Sequence, residues 1–168
     1  TLSRSMNEFK NGYQKIITKQ QGFSFYFDNT VTKNEFSNSI VIEKNCKYSK
    51  REINDLLILD RLNIKQIDKG NYVLADLGKE TTGIVDLDFD SDIDQEILIT
   101  YGEHLREEGK VMRSFSIGRN DFSFIVKAKK GNNVIFNPLK KIAGRYLEIY
   151  SESPLKINYI GIRPLSYK

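Results

Sequence analysis

The sequence predicts an all-β protein: an antiparallel β-sandwich, jelly-roll-like, with a short helix or arm at its N-terminus. Three observations carry this. Val85, Leu87 and Phe89 alternate with Asp86, Asp88 and Asp90, the two-residue period of a strand with one dry and one wet face. Similar short segments recur about every dozen residues from Tyr72 onward, the spacing of a sandwich or jelly roll. Only the start of the chain places apolar residues at helical spacing.

Taken in order, residues 5–18 put Met6, Phe9, Tyr13, Ile16 and Ile17 on one helical face, with Ser5 as a cap and Glu8 three residues on. Gly12 weakens this helix, and a lone amphipathic helix must dock on something. Residues 1–21 are therefore expected as a helical arm or linker, and residues 22–168 as the sandwich. Residues 22–27 predict a strand, 28–38 a polar loop and 39–43 a second strand. Lys47, Lys50 and Arg51 fall in a turn, and residues 55–59 predict a further strand. The later strands are expected at 72–75, 82–89, 95–101, 121–127, 133–136, 144–150 and 155–162. Gly131-Asn132 marks one turn, and Ser153-Pro154 separates the last two strands. Val85, Leu87, Phe89, Ile97, Ile99, Phe122, Phe124, Val126, Leu147 and Ile149 are the expected core.

The 168 residues suit one domain, with 39% hydrophobic and 29% charged residues, and can bury a core without staples. No apolar run approaches the roughly twenty residues of a membrane span, so no membrane partner is expected. The opening residues lack both a signal-peptide core and an initiator Met. A piece of a longer protein is expected, and its cellular address is not readable. Cys46 is the only cysteine, which excludes an internal disulfide and a thiolate metal cage. The net charge of +4 is scattered rather than banked, which argues against a nucleic-acid partner. Gly70 and Gly78 lack the spacing of a phosphate loop.

An ordered set of motifs resembles the bacterial α-L-rhamnosidases. The set runs Asp76-Leu77-Gly78-Lys79-Glu80, Gly83, Tyr101-Gly102-Glu103, Arg119-Asn120-Asp121-Phe122 and Gly144-Arg145-Tyr146-Leu147. In that family the pattern belongs to a non-catalytic β-sandwich domain lying ahead of a helical-barrel catalytic domain. The resemblance implies that hydrolysis, with inversion and two carboxylates, belongs to that barrel and that this chain has no catalytic residues of its own. It implies the catalytic domain of the same parent chain as partner. Some sandwich domains of the family bind rhamnose through calcium, the one cofactor that the resemblance raises. The run Asp86, Asp88, Asp90, Asp92, Asp94 does not suit that ion, because alternate strand residues point out side by side and cannot wrap it. A solvated acidic face is expected instead, and no metal ligand or cofactor is assigned.

The candidate carbohydrate-binding residues are Tyr101, Glu103, His104, Arg119, Asn120, Asp121 and Arg145. They fall at strand ends, where ligand groups commonly sit. Glu103 would accept sugar hydroxyls and His104 would donate to them. The competing expectation is a clamp, with Glu103 paired to Arg145 or Arg119. Three functions remain open: an accessory sandwich packing on a catalytic domain, an independent carbohydrate-binding module, and a structural or protein-binding sandwich. The accessory domain is the leading expectation, because the chain has no Trp on which to stack a sugar.

Overall fold

The computed structural model describes residues 2–10, 16–19, 22–43, 47, 49–50, 52–53, 55–114 and 120–167. Among them are thirteen strands and no helix. In chain order these are β1 (Leu2–Ser3), β2 (Phe9–Lys10), β3 (Ile16–Thr18), β4 (Gly22–Phe23), β5 (Tyr26–Asp28), β6 (Ser37–Asn38) and β7 (Leu56–Ile58). They continue with β8 (Lys65–Asp68), β9 (Tyr72–Ser91), β10 (Gln95–Gly102), β11 (Ser123–Ala128), β12 (Gly131–Tyr150) and β13 (Leu155–Tyr167).

The strands β9 and β12 are each 20 residues long. Straight, each would run about 65 Å. A compact chain of this size is only about 40 Å across, so both strands must bend. They bend where their mutual register breaks. Thr81 pairs with Gly144 and Asp76 with Tyr146, which leaves residues 77–80 of β9 opposite Arg145 alone. Ile84 pairs with Lys141 and Asp86 with Phe136, which leaves residues 137–140 of β12 opposite Val85. Each excursion opens on a side-chain turn: Asp76 Oδ1 accepts the Gly78 amide at 2.8 Å and Asn137 Oδ1 accepts the Leu139 amide at 3.1 Å. Gly78 has φ +81°, which a side chain would resist.

The two bent strands are thereby shared between two layers. In one, β8, the start of β9, the end of β12, β10, β11, β5 and β2 follow one another. In the other, the start of β12, the end of β9, β13 and β7 do so. All of these pairings are antiparallel except β5 with β11. Val73, Ala75, Ile97, Ile99, Phe124, Leu147 and Ile149 from the first layer share one core with Val85, Leu87, Phe89, Ile135, Ile160 and Ile162 from the second. A bulge in β13 between Ile157 and Tyr159 resets the alternation, so Leu155 and Ile157 face the core on one side of it and Ile160 and Ile162 on the other. The fold is an all-β sandwich, as the alternation predicts, and the expected core residues are buried, with Phe122 half-buried against them.

Four local expectations are corrected. Among the described residues, the stretch expected as an N-terminal helix instead holds β2 and β3; Gly12 and Tyr13 lie outside the described residues. Helical spacing loses there to tertiary contacts. The Phe9 ring packs edge-on to Phe27 at 5.2 Å, and Glu8 is buried with its carboxylate on Arg4 rather than on a helix cap. Residues 39–43 form no strand, and Ile40, Val41 and Ile42 are exposed; the nearest strand is β6, paired with β1. Segments 72–75 and 82–89 are one strand, as are 133–136 and 144–150, because each excursion returns to the same partner. The strand β8 was not anticipated; its KQID sequence is exposed throughout.

Candidate functional site

The residues singled out from the sequence are placed in three different settings. Tyr101 faces the core and is 2% exposed, its ring edge-on to Phe122 at 5.6 Å. Burial pushes its phenol above the usual tyrosine range. Glu103 and His104 are exposed, one step beyond the end of β10. The His104 carbonyl accepts the Met112 amide at 2.9 Å. Asn120 and Asp121 are half-buried ahead of β11; Asp121 accepts the Ser123 hydroxyl at 2.8 Å, with Arg113 Nε at 3.8 Å. Arg119 lies outside the described residues.

Arg145 sits where β9 and β12 lose register, and its partner is Asp76, not Glu103. Its Nε donates to Oδ1 at 2.8 Å and its Nη2 to Oδ2 at 3.0 Å, the bidentate geometry of a guanidinium on a carboxylate. This pairing holds the Asp76 carboxyl below the ordinary range. The expected Glu103–Arg145 clamp is therefore not formed; Arg145 instead ties β12 to β9 through Asp76.

The acidic run also differs from expectation. Asp86 is not solvated: it is 2% exposed and accepts from Arg61 at 2.8 and 2.9 Å and from Arg163 at 2.7 Å. Burial alone would raise its pKa, but the two guanidiniums outweigh it and hold the carboxyl below its ordinary value. Asp88 stays half-buried beside Arg61 and Asn158. Among the described residues, no three His, Cys, Asp or Glu side chains come together to hold a metal.

The polar centre that sequence reasoning missed is Glu148. It lies on β12 between Leu147 and Ile149, which face the core, so it points to the outer face of the first layer. There the chain between β10 and β11 folds back over it. Leu105 and Val111 form a bridge, the Arg106 amide donates to the Lys110 carbonyl at 2.7 Å, and Val111 is buried. Glu148 is 1% exposed, and an ion so buried is expensive without partners. It has four. Oε1 accepts the Val111 amide at 2.6 Å and the Tyr72 hydroxyl at 2.9 Å. Oε2 accepts the Thr100 hydroxyl at 2.9 Å and the Tyr150 hydroxyl at 3.1 Å. Burial and then the Glu148 charge push the Tyr150 phenol up to about 12, and burial with the Glu148 hydrogen bond drives Tyr72 higher still. Both phenols therefore stay protonated as donors.

Two cavities of about 420 Å³ each open on either side of this hairpin. The first is lined by Leu98, Arg106, Lys110, Arg113 and Tyr150, together with the acids Glu108 and Glu148. The second is bounded by Ile67, Tyr72, Leu74 and Leu105, and Glu108 and Lys110 belong to both. With four donors on its two oxygens, Glu148 acts as a latch for the hairpin.

The bacterial α-L-rhamnosidase concanavalin-like domain matches residues 65–159, more than half of the chain. No curated protein sequence matches it. Among solved structures, the Streptomyces avermitilis α-L-rhamnosidase complexed with L-rhamnose is 16% identical with a TM-score of 0.54, over 69% of this chain and 12% of that one. The Dictyoglumus thermophilum α-L-rhamnosidase is 16% identical with a TM-score of 0.54, over 80% of this chain and 18% of that one. The family 78 rhamnosidase of Bacillus sp. GL1 is 20% identical with a TM-score of 0.50, over 66% of this chain and 12% of that one. At these identities the likeness is one of fold, and the chain spans less than a fifth of the length of each. The family match and the shared sandwich agree: this chain belongs to the bacterial α-L-rhamnosidase concanavalin-like domain family.

Proposed function

We propose that this chain is a non-catalytic accessory sandwich of a larger rhamnosidase, packing on the catalytic domain of its parent chain and shaping access to it. The observation that carries this is the state of Glu148. Inverting glycoside hydrolysis needs a carboxylic acid and a carboxylate base roughly 6.5–9.5 Å apart with a water between them. Glu148 and Glu108 both line the first cavity, yet Glu148 has each oxygen engaged by two donors from the protein itself, so neither oxygen is turned to a substrate or to an attacking water.

An apolar edge supports the packing role. The run Leu56-Leu57-Ile58-Leu59, with β7 at its centre, lies at the end of the second layer and is about 40% exposed at every position. A bare apolar strand at a sheet edge is a liability unless something covers it. The parent's catalytic portion is the occupant that fits, since the solved rhamnosidases similar to this chain are more than four times its length. Adding that portion in trans should raise the unfolding temperature of this chain in a concentration-dependent way. An unchanged melting curve and separate elution of the two would overturn the reading.

A further inference from the structure

Beside Tyr150 the chain gathers three cations, Arg106, Lys110 and Arg113, around one space. Among the described residues neither Arg106 nor Lys110 forms an ion pair, and Arg113 reaches Asp121 only at 3.8 Å. Of the two acids on the same lining, Glu148 gives both oxygens to one amide and three hydroxyls, and Glu108 is exposed on the hairpin. Arg113 and Arg106 both act on the Tyr150 phenol electrostatically, so the two guanidiniums converge on the same side of that ring.

The chemistry of the lining defines what fits. Converging cations call for an oxyanion, and a guanidinium fork takes two of its oxygens at once. The volume of about 420 Å³ falls among small-ligand sites, which run roughly 300–1,000 Å³, and a bare oxyanion would leave most of it empty. Leu98 and Tyr150, both half-buried on the sheet, offer the remainder an apolar surface about the size of one ring. The ring of Tyr150 cannot turn away, because its hydroxyl is tied to Glu148 at 3.1 Å. The cations are placed from outside the cavity as well: the Val111 to Glu148 bond fixes the hairpin, and the Arg113 carbonyl accepts the Phe122 amide at 2.9 Å.

We propose that this cavity binds a small organic anion, its carboxylate or phosphate head held by Arg106, Lys110 and Arg113 and its ring-sized apolar body lying against Tyr150 and Leu98. The site lies on the outer face of the first layer, whereas the bare edge β7 closes the second. Binding is therefore independent of the packing role, and Leu57→Lys, which disables that edge, should leave it unchanged.

The test is a calorimetric titration of this chain with benzoate and with phenyl phosphate, against benzyl alcohol and inorganic phosphate, with amide NMR shifts to locate the ligand. Saturable binding of at least one aromatic anion is expected, weakening with salt and moving the amides of residues 106–113 and 150. The tighter of the two identifies the head. Benzyl alcohol and inorganic phosphate should each bind at least about tenfold more weakly than that anion. Arg106→Ala should weaken it about tenfold, the loss of one charge-assisted bond, and Glu108→Gln should tighten it by removing a like charge. Both side chains are exposed, so the unfolding temperature of each variant should stay at that of the unmodified chain. No binding of either aromatic anion, shifts confined to other residues, equal affinity for benzyl alcohol, or indifference to Arg106→Ala would overturn the site. Inorganic phosphate binding as tightly as phenyl phosphate would remove the organic body and overturn the proposal.

Discussion

The Val111 amide meets Oε1 of Glu148 at 2.6 Å, and this bond fastens the chain between β10 and β11 to a face of the sheet that would otherwise be open. The acceptor and the donor are 37 residues apart in sequence, and the remaining partners of the carboxylate come from β9, β10 and β12.

Replacing Glu148 by Gln keeps the shape but turns one acceptor into a donor facing hydroxyls. The expected cost is about 2 kcal/mol of stability, since buried donors lose their acceptor. Hydrogen exchange at the Val111 amide should accelerate far more than at the core strands. Urea unfolding checks the first and exchange the second.

Asp86 makes a pH prediction. Its folded carboxyl is held below the ordinary value, as are those of Glu8, Asp28 and Asp76. A group so depressed contributes stability that is complete above its unfolded pKa, about 4, and is lost as pH falls through the lowered folded value. Stability should therefore be flat from neutral to about pH 5 and drop below about pH 4. Asp86→Asn should unfold more readily at neutral pH and show a shallower acid slope, measured by urea unfolding at stepped pH.

At Gly83 a methyl group has nowhere to go. An added Cβ would lie 2.1 Å from the Arg163 carbonyl oxygen of the paired strand, which is backbone and cannot swing aside. Gly83→Ala should cost at least about 2 kcal/mol and part β9 from β13 locally. At Gly78 an added Cβ meets nothing within 4 Å, and Gly78→Ala should lose only about 1 kcal/mol to its backbone angle. Thermal unfolding of the two variants separates them.

Leu57→Lys on the bare edge should leave the stability of this chain within about 0.5 kcal/mol, because the residue is already 38% exposed. The same change should abolish the melting shift produced by the catalytic portion of the parent. Unfolding curves with and without that portion read both effects.

The later strands were legible because their alternation is also their burial: Val85, Leu87 and Phe89 are all fully buried. The two excursions that bend β9 and β12 left local marks as well, in Asp76-Leu77-Gly78 and Asn137-Pro138. Their effect on the layers was not readable, because a turn signal does not say that the chain returns to the same partner. The N-terminal helix failed because spacing cannot see that Phe9 has aromatic neighbours from β5 and its flank. Glu148 was missed for a related reason. In the sequence it resembles Glu96, another acid in a strand and next to an apolar residue, yet one is buried under the distant hairpin and the other is exposed. The Arg145 partner was misread: Glu103 was expected, and Asp76 takes its place because β9 and β12 lose register beside it.

The account turns on Glu148 being a latch rather than an acid. The most direct test is turnover of an aryl α-L-rhamnoside by this chain at high protein concentration, followed together with the Glu148→Gln variant. No release of the aryl alcohol above the uncatalysed rate is predicted for either protein. Turnover by the unmodified chain that disappears in the variant would contradict it.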